Sequence, residues 1–177
     1  DTTNYNVAVG YNAGSAVTTG VENTLIGSLA GDALTDADKN VAIGYAALTA
    51  DTLGSKSVAI GLGTLEAQNF TTATDSFNTA VGAEAGATVT TGTQNTLIGG
   101  QAGDALTTGG ENVAVGAFAL SGEDGNGKNV AVGVQALLAQ NAGAEAYNVA
   151  VGYLAGKAVT TGVRNTLIGA LAGDALT

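Results

Sequence analysis

Asn95-Thr96-Leu97-Ile98-Gly99 is the unit from which this chain is built. It recurs unchanged at Asn23 and Asn165, and near variants open at Asn6, Asn40, Ser57, Asn78, Asn112, Asn129 and Asn148. The starts are 17 residues apart except after Ser57, where the interval is 21, and after Asn129, where it is 19. A fixed period of this size marks stacked turns. Residues 1–177 therefore read as a single repeat domain of ten turns starting at 6, 23, 40, 57, 78, 95, 112, 129, 148 and 165.

Numbering each turn from its Asn lines up the same columns ten times. Column four is always Val or Ile, from Val9 to Ile168, and column two is Val or Thr on the same face. A strict β-branched column predicts a strand with that side chain in the body of the turn. Column three points the opposite way, because strand side chains alternate. It holds only Ala8, Leu25, Ala42, Ala59, Ala80, Leu97, Ala114, Ala131, Ala150 and Leu167. Two apolar faces on one strand require cover on both, so this column is expected outside as a continuous interface stripe between copies of the chain. Column five is always Gly, which predicts a corner closed to a Cβ. Column one is Asn in all turns but the one opened by Ser57, which predicts a second, left-handed corner and a stacked Asn ladder.

The rest of the turn shows compensation. Where column nine is Gly, column twelve is apolar, as in Gly31 with Leu34. Where column nine is Leu (Leu48, Leu65, Leu120, Leu137), column twelve is polar (Asp51, Gln68, Glu123, Gln140). One large apolar group per turn keeps core volume constant. A lone turn buries too few aliphatic groups to offset the entropy of ordering it, so the turns must stack. Parallel stacking at about 4.8 Å per turn predicts a rod of roughly 45–50 Å, with Glu22 beside Lys39 and Glu111 beside Lys128.

These residues carry a resemblance. Asn-Val-Ala-Val-Gly, Ser57-Val58-Ala59-Ile60-Gly61 and the linking Ala-Val-Thr-Thr-Gly at Ala16–Gly20 and Ala158–Gly162 resemble the head repeats of YadA-type trimeric autotransporter adhesins. They also resemble the arrays of phage tail fibres and of fibre-like bacterial surface proteins that end in a self-cleaving chaperone domain. The resemblance covers the whole chain and implies an all-β, left-handed parallel β-roll or β-solenoid that forms a homotrimer outside the cell, as a virion tail fibre or on a bacterial surface. The chain begins without Met and both ends fall inside a repeat, so it is expected to be a piece of a longer fibre.

Composition narrows the chemistry. The chain has no His and no Cys, which removes the usual general bases, thiolate nucleophiles and zinc ligands. No metal and no cofactor is expected. A net charge of -10 with only five Lys plus Arg opposes nucleic acid and anionic membrane surfaces as partners, and no apolar run is long enough for membrane insertion. Asp124-Gly125-Asn126-Gly127-Lys128 starts like a calcium loop, but Lys stands where an oxygen ligand is needed and no Glu closes the frame. Asn69-Phe70-Thr71 is formally a glycosylation acceptor.

Carboxylate pairs at Asp36 and Asp38, and at Glu123 and Asp124, are the only acid–base equipment, so a polysaccharide-degrading tailspike segment is one alternative. The Thr column (Thr18, Thr35, Thr52, Thr90, Thr107, Thr160, Thr177) raises an ice-binding solenoid as another, though Asn69, Asp124 and Asn141 interrupt it. The reading preferred is a non-enzymatic structural or adhesive fibre segment touching host surface carbohydrate. Recognition is expected on the two lengthened turns, where Phe70, Phe77 and Tyr147 add aromatic surface beside Asp75, Asn141 and Glu145.

Overall fold

The computed structural model describes residues 4–177, and these contain no helix. Ten three-residue strands pair in parallel in chain order: β1 (Val7–Val9), β2 (Thr24–Ile26), β3 (Val41–Ile43), β5 (Val58–Ile60), β7 (Thr79–Val81), β8 (Thr96–Ile98), β9 (Val113–Val115), β10 (Val130–Val132), β11 (Val149–Val151) and β12 (Thr166–Ile168). Like columns lie over like, with Leu97 against Ala114 and Ala114 against Ala131. Two shorter strands, β4 (Gly54–Ser55) and β6 (Thr74–Asp75), form a second parallel pair. The chain is a parallel β-solenoid that gains one strand of the main sheet per turn.

The Gly corner holds. Column-five glycines have φ between 122° and 142°, and a Cβ built on Gly82 would lie 2.5 Å from the Gly99 carbonyl oxygen. Turns stack here backbone on backbone, which only Gly permits. The second corner differs from expectation. The left-handed residue is the one before the Asn, in every turn, from Tyr5 (φ 47°) to Lys128 (φ 66°). Stacking bonds fix it whatever the side chain, as when the Lys39 amide donates to the Val21 carbonyl at 3.0 Å.

The Asn itself works by hydrogen bonding. The Asn112 amide donates to Asn95 Oδ1 at 3.0 Å, while Asn95 Nδ2 donates to the Gly109 carbonyl of its own turn at 2.9 Å. Apart from Asn129 and Asn165, each side chain thus steps to the next turn through its oxygen and braces its own turn through its nitrogen. Where turn four is lengthened, Ser57 stands in place of Asn and its amide still accepts the step, donating to Asn40 Oδ1 at 2.8 Å.

The inward and outward faces are the reverse of the expected ones. Leu25, Ala42, Ala59, Ala80, Leu97, Ala114, Ala131 and Ala150 are fully buried within the chain, with Leu167 packed against the same core and Ala8 uncovered at the first turn. They cannot form an interface between copies. Val and Ile of column four point outward, and Ile26, Ile98 and Val151 stay 36–39% exposed even inside the stack.

The reason lies in volume. Column three is Leu only in the second turn of each pair with Gly in column nine, and that Leu fills the room of both glycines. A Cβ on Gly86 would lie 2.7 Å from Leu97 Cδ1, and one on Gly103 would lie 2.8 Å from Leu97 Cδ2. In the other turns Leu48, Leu65, Leu120 and Leu137 enter the core from column nine despite left-handed φ of 49–56°. A left-handed Leu costs about 1–2 kcal/mol, and burying its side chain returns about 1.5–3 kcal/mol. Their polar partners Asp51, Gln68, Glu123 and Gln140 are fully buried as well.

Candidate functional site

The two lengthened turns carry matching surface clusters. Lys56, which ends turn three, has its Nζ 2.5 Å from Asp75 Oδ2 and 5.1 Å from the centre of the Phe77 ring, both of turn four. Lys128, which ends turn seven, has its Nζ 2.6 Å from Glu145 Oε1 and 5.6 Å from the Tyr147 ring, both of turn eight. Arg164 stands 6.0 Å from that same ring, and the Tyr147 hydroxyl donates to Glu145 Oε2 at 2.5 Å. Both rings sit at the left-handed corner, which aims them outward. The hydrogen bond from Lys128 and then that from Tyr147 hold the Glu145 carboxyl below its usual range, and Glu145 in turn raises Lys128.

Of the expected contact residues, Phe77, Asp75, Glu145 and Tyr147 are therefore brought together in pairs and exposed. Asn141 is exposed, with its backbone amide bonded to the Thr160 carbonyl at 2.8 Å. Phe70 is a correction. It is 6% exposed, its ring lies over Gly54 and its amide donates to Asp51 Oδ1 at 3.1 Å, so it closes the core edge and cannot stack on a ligand. The cations Lys56, Lys128 and Arg164 were not among the expected contact residues, although Lys56 and Lys128 occupy column seventeen one turn before an aromatic. Lys128 takes Glu145 as its ion-pair partner in place of Glu111, while Lys39 sits 4.0 Å from Glu22 as expected.

The carboxylate pairs are separately engaged. Asp36 Oδ1 accepts from Thr19 at 2.6 Å, Asp38 Oδ1 accepts from the Val21 amide at 2.8 Å, and Glu123 is buried while its neighbour Asp124 is exposed. Five of the Thr hydroxyls, those of Thr18, Thr35, Thr52, Thr90 and Thr107, are spent on the stack: Thr18 donates to the Thr35 carbonyl at 3.2 Å and Thr90 to that of Thr107 at 3.1 Å. Among the described residues no three acidic side chains gather as a metal site, and no helix is long and apolar enough to cross a membrane. A groove of about 520 Å³ lined by Leu138, Leu154, Lys157 and Leu171 lies along the last three turns and includes none of the cluster residues.

A further surface feature is the outward face of the sheet. Apart from Leu176, every exposed large apolar side chain among the described residues lies in columns two, four, six or seven or in the last two places of a turn. Tyr11, Tyr45 and Tyr153 extend the Val and Ile stripe on one side, and Tyr5, Phe77 and Tyr147 border it on the other. No residue in columns one to six is charged, so all the excess negative charge lies elsewhere on the coil. No protein-family model, curated protein or solved structure matches the chain.

Proposed function

We propose that this chain is a non-enzymatic segment of a trimeric extracellular fibre, the shaft or head of a phage tail fibre or a bacterial surface adhesin. Three copies pack through the outward sheet face, and the clusters around Phe77 and Tyr147 at its border are where a host surface glycan would be met. The observation that carries the reading is the charge-free apolar face. A stripe of half-exposed to exposed Val and Ile with Tyr beside it runs along ten turns, and a contiguous apolar surface of that kind marks a contact site. Chains of net charge -10 repel one another except where charge is absent, and on this face it is absent. A closed ring of copies covers the same stripe on each without an open end, and the likeness to trimeric fibres sets the number at three.

Light scattering tests this. The chain should run at three times its 17.0 kDa mass, and Val115→Glu with Val132→Glu should reduce it to a monomer that keeps its β circular-dichroism spectrum. Ala114→Glu, inside the core, should instead abolish folding. A wild-type monomer at micromolar concentration would refute the trimer.

A further inference from the structure

We propose that the interior of turns seven and eight binds one water molecule, held by Glu123 Oε2, Gln140 Nε2 and Asn129 Nδ2. All three residues are fully buried, and none of these three atoms has a hydrogen-bond partner within the chain. The repeat supplies an internal control, because Asp51, Gln68 and Ser57 occupy the same places 72 residues earlier. There the network closes: Gln68 Nε2 donates to Asp51 Oδ2 at 2.6 Å and to Ser57 Oγ at 2.8 Å, and Ser57 Oγ lies 2.6 Å from Ser76 Oγ. In the later copy Asn129 stands for Ser57 and Ala146 for Ser76, so both hydroxyls are lost. The lengthening of turn eight also withholds from Asn129 Nδ2 the carbonyl that braces the other Asn side chains, such as Gly162 for Asn148 at 2.7 Å. Glu123 Oε1 is taken by Asn126 Nδ2 at 3.0 Å, and Gln140 Oε1 by Asn148 Nδ2 at 2.7 Å.

The unmatched set is two side-chain amide NH2 groups and one carboxylate oxygen. A cation would meet the donors head-on and an anion would meet the carboxylate, whereas water accepts twice and donates to the third atom. The site thus takes a neutral ligand that is both donor and acceptor, of the size of the lost hydroxyls. A crystal structure at atomic resolution should place a water about 2.7–3.2 Å from all three atoms. In Asn129→Ser with Ala146→Ser, which copies the earlier site, that water should vanish and water-oxygen relaxation dispersion should count one fewer long-lived internal water. Should the double variant fail to fold, cross-relaxation between water and the Gln140 side-chain amide protons in the wild type decides alone. A dry site with the Gln140 amide bonded directly to Glu123, an equal water count in the two proteins, or no cross-relaxation would overturn the proposal.

Discussion

Asn95 ties two turns with one side chain, since Gly109 and Asn112 both depend on it for a buried hydrogen bond. Asn95→Ala strands a carbonyl and an amide at about 1–3 kcal/mol each, so urea unfolding should show a loss of about 2–6 kcal/mol. Glu123 belongs to the same scale. Burial, only partly opposed by the bonds from Asn126, raises its carboxyl above the ordinary 4.5. The folded chain therefore holds this proton to higher pH than the unfolded chain does, and the contribution to stability, complete below 4.5, is lost as pH rises through the folded-state value. Melting temperatures across pH should show the wild type losing ground to Glu123→Gln above 4.5 and the two running parallel below it.

Turns four and eight are elements with a built-in division of labour. The added residues leave Phe70 sealing the core edge while they carry Phe77 and Tyr147 outward under their lysines. Phe70→Ala should lower the melting temperature, because a buried Phe cut to Ala costs about 3–5 kcal/mol. Phe77→Ala and Tyr147→Ala should barely change it and should weaken binding on a glycan array of host-surface sugars. Retained glycan binding in both of the latter would remove the clusters from the recognition surface. The sequence showed these turns as insertions with aromatics in them, but spacing alone cannot separate an inward ring from an outward one. What decides Phe70 is the bond from its amide to Asp51, a partner in the preceding turn.

For the whole molecule, period, parallel register and the Gly corner were all legible, since each depends on one residue type recurring at one place. The facing of the strand was not. Alternation separates column three from column four, yet with Ala or Leu on one side and Val or Ile on the other, hydrophobicity alone names neither as the inside. The discriminating signal was volume: Leu25, Leu97 and Leu167 occur only beside paired glycines in column nine, which is the behaviour of a packed interior. The residue that takes the left-handed corner was equally hidden, one place before the Asn expected to hold it, because Glu22, Lys39 and Phe77 have no local preference for that conformation and take it from the stack. The face that column four presents is then the surface proposed to carry contact between copies. Since the chain has no Cys, single thiols introduced at neighbouring positions report on it cleanly. Treated with a short bismaleimide under native conditions, Val132→Cys should link chains covalently, whereas Ala131→Cys should remain unlinked and unmodified until the protein unfolds. Rapid labelling of Ala131→Cys, or failure of Val132→Cys to link chains, would contradict the account.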